Sequence, residues 1–183
     1  RAIDELVNEG RLYRIQGKGT YVHEDKISED LLLLTSCTQD IINLGMTPSR
    51  KTISSDVVEA DSTRRSALNL GEGERVFRLE RIYYANKLPI NHTVTYLPHR
   101  MFPGIEEIDF SQHSLYQTLR DRYQTDVVEA LRTIQAVAAR GDIARYLQVD
   151  PGSPVLFFSC VTMGEVCGCH LPIETFDCHY RSD

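Results

Sequence analysis

No uninterrupted apolar run in the 183-residue sequence approaches the ~18 residues that a membrane-spanning helix needs. The first 22 residues also lack the successive charged, apolar and small-residue blocks of a secretion signal, so no membrane partner and a cytoplasmic location are expected. Cysteine is sparse and odd in number: Cys37, Cys160, Cys167, Cys169 and Cys178. A chain of this size does not depend on disulfide staples, and the five read as reduced thiols. Positive charge is not in excess either. The net charge of -6 excludes a surface that binds nucleic acid everywhere and confines any DNA contact to a local patch.

Enzymatic signatures are missing as well. There is no phosphate-cradling glycine loop, nucleophile elbow or metalloprotease helix. Glu106, Glu107 and Asp109 are adjacent acids that read as a solvated turn, not as a pair for acid and base work. Cys167-Gly168-Cys169-His170, with Cys178-His179 downstream, carries zinc-type ligands, but Cys-x-Cys is not the usual structural spacing and the cluster falls at a hairpin tip. Neither a metal nor a cofactor is expected. No period of about 20 to 50 residues repeats, which excludes solenoids and propellers.

What is present is an ordinary globular composition, 42% hydrophobic and 25% charged, in a chain long enough for one good core. Ile3, Leu6 and Val7 recur at helical spacing before Gly10, which predicts a short helix. Leu12-Tyr13-Arg14-Ile15 and Thr20-Tyr21-Val22 flank Gln16-Gly17-Lys18-Gly19, the pattern of a glycine-tipped hairpin. The polar stretch that follows reads as a linker. Residues 1–24, 25–31 and 32–183 are thus expected to form a small first unit, a linker and the main domain.

In the main domain, Ser36 and Gln39 have the form of a capping box ahead of Ile41, Ile42 and Leu44. Strands are predicted near 51–59, 76–84, 89–97, 126–137, 154–163 and 171–180, with helices near 62–70, 112–122 and 142–147. Asn86-Lys87 marks one hairpin turn and the region from Gly164 to Gly168 another. Hairpins imply an antiparallel β-sheet with helices packed on it, an α+β fold.

These residues resemble the GntR regulators of the HutC type, whose C-terminal sensor is the UTRA domain. The segment from Leu12 to Val22 is similar to that family's DNA-reading wing. Leu34-Thr35-Ser36, the run from Gly45 to Ser49, Leu70-Gly71, Arg81, Tyr96-Leu97-Pro98, Ser114-Leu115-Tyr116, the run from Ala144 to Leu147, Pro172-Ile173-Glu174 and Tyr180-Arg181 continue the match in order. The resemblance implies a chorismate-lyase-like sensor fold, a homodimer, a small-molecule effector and operator DNA as partners, and a repressor as the commoner habit. It also implies that most of the winged helix lies ahead of Arg1, so this chain alone is expected not to hold an operator tightly.

Two sets of candidate residues follow. For DNA they are Arg1, Gln16, Gly17, Lys18, Gly19 and Thr20: glycines let the backbone approach closely, Lys18 supplies a phosphate charge and Thr20 a hydroxyl. For the effector the clue from the residues themselves is Arg81, a cation whose alternation partners are Phe77, Leu79 and Tyr83. Its charge is costly unless paired, either by a ligand anion or by a structural salt bridge to Glu174 or Glu129. The family's pocket carries over to Ser36, Arg81, Ser114, Tyr116, Glu174 and Tyr180. The chain departs from it at Tyr83, where a second arginine is common, and at Thr93, where a glutamate is. A two-residue loop at Asn86-Lys87 would bring His92, not Thr93, opposite Arg81, so the hairpin register is open. The competing reading is an enzyme on the same chorismate-lyase-like fold.

Overall fold

A computed structural model describes residues 2–8, 12–15, 17, 19–22, 37–166 and 168–182. Backbone contacts divide the chain into two units, Arg1–Leu31 and Leu32–Asp183. The first contains α1 (Ala2–Asn8) and the antiparallel pair β1 (Leu12–Ile15) and β2 (Gly19–Val22). Ile15 pairs with Gly19 across a three-residue tip in which Gly17 has φ 81°, a left-handed value that favours glycine. An exposed ion pair, Arg14 Nη2 to Asp4 Oδ1 at 2.9 Å, ties the hairpin to its helix.

The second unit is built on six strands: β3 (Pro48–Glu59), β4 (Arg75–Ala85), β5 (Leu88–Pro98), β6 (Asp126–Ala138), β7 (Pro154–Val166) and β8 (Cys169–Arg181). Their order in the sheet is β3-β4-β5-β8-β7-β6, and every neighbouring pair is antiparallel. After β5 the chain crosses to the far edge, runs inward through β7, and closes the sheet by laying β8 against β5.

Helices cover both faces. On one side lie α2 (Cys37–Asn43) and α4 (Leu115–Tyr123), with short 3-10 turns at His99–Met101 and Ile105–Glu107. Phe77, Leu79, Leu97, Phe102, Ile105, Phe110, Leu115, Leu119 and Ile173 form the core there. Burying each of these side chains contributes roughly 1.5–3 kcal/mol. On the other side α3 (Ser62–Leu68) packs Leu68 against Ala60 and Val76, while α5 (Gly141–Leu147) packs Ala144 and Leu147 against Ala139 and Val155.

Helix ends are set by local hydrogen bonds. Asp61 Oδ1 accepts from Arg64 N at 2.8 Å and opens α3, and Asn69, at φ 53°, closes it two residues earlier than periodicity suggested. Helix α4 starts at Leu115 and not near 112 because Asp109 takes the preceding residues into a turn. Its Oδ1 accepts from Ser111 N at 2.9 Å and its carbonyl from His113 N at 3.0 Å.

The β4–β5 register follows from one extra residue. Asn86 and Lys87, both at positive φ, form the two-residue turn, and Ala85 pairs with Leu88 and Tyr84 with Pro89. A bulge then leaves Ile90 without a partner, so that Tyr83 faces Asn91 and Arg81 faces Thr93. His92 is consequently turned to the opposite face, where its ring stacks on Tyr146 at 5.0 Å.

Gly164 sits inside β7, paired with Leu171, and not in the β7–β8 turn. A Cβ there would lie 2.5 Å from Ile173 Cδ1 and 3.1 Å from Asp126 O. Gly164→Ala is therefore expected to cost about 1–3 kcal/mol in urea unfolding through overpacking. Pairing it with Ile173→Val should restore part of that loss; two strictly additive losses would locate the strain elsewhere.

Candidate effector site

Facing residues of adjacent strands share a side of the sheet, and two rows define the face beneath α2 and α4. One runs Thr52, Arg81, Thr93, Cys178, Phe158. The next runs Arg50, Tyr83, Asn91, Tyr180, Leu156. Arg81, Tyr83, Thr93 and Tyr180 thus converge on one face, and Glu174 joins them through its bond to Tyr116 of α4. Ser114 is the residue preceding α4 and makes no side-chain capping bond. Ser36 lies outside the described residues.

Arg81 is 3% exposed, and its Nε and Nη1 are buried without a hydrogen-bond partner. Its guanidinium stands 5.1 Å from the centre of the Tyr83 ring. Among the described residues no carboxylate pairs with it; neither Glu174 nor Glu129 forms the salt bridge that the sequence left open. The Tyr83 face softens the loss of hydration, but a buried cation with two idle donors is a costly arrangement that an incoming anion relieves.

Glu174 is 1% exposed and its Oε2 accepts from Tyr116 Oη at 2.8 Å and from Thr162 Oγ1 at 2.9 Å. Burial pushes its pKa up, against those two hydrogen bonds and the fields of Arg81 and Arg132. Burial likewise pushes Tyr83 up to about 12, and burial with the neighbouring Glu174 holds Tyr116 well above the usual phenol range. The phenols therefore act as neutral hydrogen-bonding groups. Burial raises the Cys160 thiol too, which leaves it a weak nucleophile.

A second set of contacts escaped the sequence reading. Asn91, fully buried, donates from Nδ2 to Cys37 Sγ at 2.9 Å. The Thr93 hydroxyl stands 3.0 Å from both Asn91 Oδ1 and Cys178 Sγ. This chain of small polar groups links α2 to β5 and β8 directly beside Arg81. Its only sequence signal was a polar alternation in β5 whose facing was unknown until the bulge fixed it.

Beside these residues is a cleft of about 890 Å³ lined by Thr38 of α2, Arg50 of β3, and Ser114, Tyr116 and Gln117 at the start of α4. Arg81 does not line it; it lies on the same face of the sheet, opposite Thr93 and one row from Arg50 and Tyr83. Among the described residues Arg50 is held by neutral oxygens: Nε donates to Ser111 O at 3.1 Å, Nη2 to Gln112 O at 2.9 Å, and Nη1 lies 3.4 Å from Thr38 Oγ1.

Of the candidate DNA contacts, Gly17, Gly19 and Thr20 are exposed at and after the β1–β2 tip. Arg1, Gln16 and Lys18 lie outside the described residues. No described helix is long and apolar enough to cross a membrane, and no three described His, Cys, Asp or Glu residues are placed to hold a metal ion.

The UTRA domain family matches residues 43–183. The chain is 29% identical over 162 residues to the HTH-type transcriptional repressor NagR of Bacillus subtilis, covering 88% of this chain and 66% of that protein. It is 31% identical over 165 residues to the protein of Shigella flexneri named "Probable fructoselysine utilization operon transcriptional repressor", covering 90% and 68%. The chain thus spans about two thirds of the length of these curated relatives. The crystal structure of PhnF from Mycobacterium smegmatis superposes with a TM-score of 0.81 at 25% identity, over all of this chain and 78% of that one. The antiparallel sheet, the family match and relatives that are repressors and not enzymes agree: the chain belongs to the UTRA-domain family of GntR/HutC-type transcriptional regulators.

Proposed function

We propose that residues 32–183 form the effector-sensing domain of a repressor and that the effector is a small anion, a phosphorylated sugar by class. The observation that carries this is Arg81, buried to 3% exposure with two guanidinium donors unpartnered and, among the described residues, no carboxylate in an ion pair with it. Tyr116, Glu174, Thr93 and Tyr180 supply hydroxyl and carboxylate groups suited to sugar hydroxyls around that anion, with Ser114 at the cleft and Ser36 before α2. The relative named for fructoselysine utilization supports a sugar-derived ligand. In the complete protein, effector binding would favour one arrangement of the domain and so change operator affinity through the unit containing residues 1–24 and a linker at 25–31, in the cytoplasm.

The test is a thermal-melt screen of the chain against phosphorylated sugars, their unphosphorylated parents and small carboxylates. A ligand at about 100 times its Kd adds about 2.7 kcal/mol and a visible rise in Tm. Stabilisation by phosphorylated sugars and not by the parents supports the reading; stabilisation by neutral sugars alone overturns it.

The regulator is further proposed to act as a homodimer joined at β6. That strand is an edge of the sheet, 13 residues long, and leaves Leu131 66%, Ile134 48% and Val128 40% exposed. An unpaired antiparallel edge is self-complementary about a two-fold axis. Leu131→Glu is expected to halve the mass measured by sedimentation while leaving the fold intact; a monomeric parent protein would refute the assignment.

A further inference from the structure

We propose that Arg50 is the second cation of the effector site, and that it reads the second negative charge of a doubly charged anion, the state of a phosphomonoester at neutral pH. This rests on the reading of Arg81 as an anion-binding residue.

The sheet register brings a second guanidinium to this face, from β3. Arg50 stands directly opposite Tyr83, in the row adjacent to Arg81 and on the same face. Such a diagonal pair on neighbouring strands is typically about 7–8 Å apart, with Cβ atoms somewhat closer, within the reach of two arginine side chains around one tetrahedral group. Arg50 lines the 890 Å³ cleft together with Ser114 and Tyr116, and Arg81, buried one row away on the same face, is close enough for its charge to act on Arg50.

Charge accounting points the same way. Among the described residues neither arginine has a carboxylate partner: Arg81 has the Tyr83 ring, and Arg50 has two backbone carbonyls and one hydroxyl. Two cations share one face, and the carboxylate whose charge Arg81 favours, Glu174, has that charge opposed by its own burial, so positive charge is left to be neutralised from outside. Burial and the nearby Arg81 both weaken the hold of Arg50 on its proton, as expected for a cation short of counter-charge. A monoanion satisfies one of the two; a dianion satisfies both and gains bidentate contacts. The contacts of Arg50 to Thr38, Ser111 and Gln112 then serve to aim it, since they fix its guanidinium between α2 and the approach to α4.

The experiment compares methyl phosphate, a dianion at pH 8, with dimethyl phosphate, a monoanion on the same tetrahedral centre, by NMR titration of the 183-residue chain. The parent protein is expected to bind methyl phosphate more tightly. Arg50→Gln should weaken methyl phosphate about tenfold or more and dimethyl phosphate little, so that the two affinities converge. Arg50→Lys, which keeps the charge, should recover part of the difference, and unliganded melting curves check that both variants fold. Equal binding of the two esters by the parent protein, or an equal loss of both in Arg50→Gln, would overturn the proposal and leave Arg50 a structural latch. Binding of neither ester would overturn the anion-site reading beneath it.

Discussion

Arg81→Met is expected to abolish measurable binding of an anionic effector while leaving the unliganded domain at least as stable as the parent. Truncating one partner of a buried charge pair costs about 2–5 kcal/mol, which is roughly a 30- to several-thousand-fold loss of affinity. Stability should move the other way. In the absence of ligand Arg81 has idle buried donors and no ion pair among the described residues, so methionine removes a poorly compensated charge and keeps most of the side-chain volume. Calorimetric titration and unliganded melting, run on the same sample, separate the two effects. A variant that loses stability without ligand and binds normally would show Arg81 to be a structural cation and would sink the effector reading.

That opposite-sign expectation could be framed from sequence only in outline. Arg81 among Phe77, Leu79 and Tyr83 was legible because a period of two needs no tertiary information. The strands, the Asn86-Lys87 turn and the packing of helices on an antiparallel sheet were legible for the same reason. What faces Arg81 was not legible, because one bulged residue, Ile90, exchanges Thr93 for His92, and bulges have no compositional mark in a run such as Leu88 to Val94. The failure of Arg81 to pair with Glu174 was hidden too. Glu174 shares its face but gives its Oε2 to Tyr116 and Thr162, partners fixed by where α4 crosses the sheet.

Arg50 was the larger omission. Between Ser49 and Lys51 it reads as one more polar residue at the start of a strand, and nothing local marks it. Its place opposite Tyr83 follows from the β3–β4 register, which only the assembled sheet sets. The thiols were similarly opaque: Cys37 and Cys178 are 141 positions apart in sequence, counting 178 minus 37, yet are linked by Asn91 and Thr93. Helix ends were missed by a few residues wherever a side chain, such as Asp109 before α4, diverted the backbone into a turn.

Glu174→Gln is expected to raise stability at pH 8 and to change its pH dependence with a definite sign. Burial lifts the folded-state pKa of Glu174 above the ordinary 4.5. The native state therefore holds a proton that the unfolded chain has lost, so this contribution is present below about 4.5 and is lost as pH rises through the raised folded value. Each factor of ten in that proton equilibrium is worth about 1.4 kcal/mol. Glutamine removes the penalty at high pH while keeping an oxygen to accept from Tyr116 and Thr162. Two other groups slope oppositely. Burial opposes ionisation of Glu80, but hydrogen bonds from His92 and Arg78 outweigh it and lower its pKa, so its contribution is kept above 4.5 and lost as pH falls. Burial, with His92 nearby, lowers His179 below 6.5, so its contribution is complete above 6.5 and fades as pH falls beneath it. The difference between variant and parent cancels both. Measured by urea unfolding from about pH 5 to 8, that difference should grow with pH and level off above the folded pKa of Glu174. A difference independent of pH would mean that Glu174 is ionised in the native state throughout, held so by Arg81 and Arg132, and would turn the buried cation of this site into one half of an ion pair.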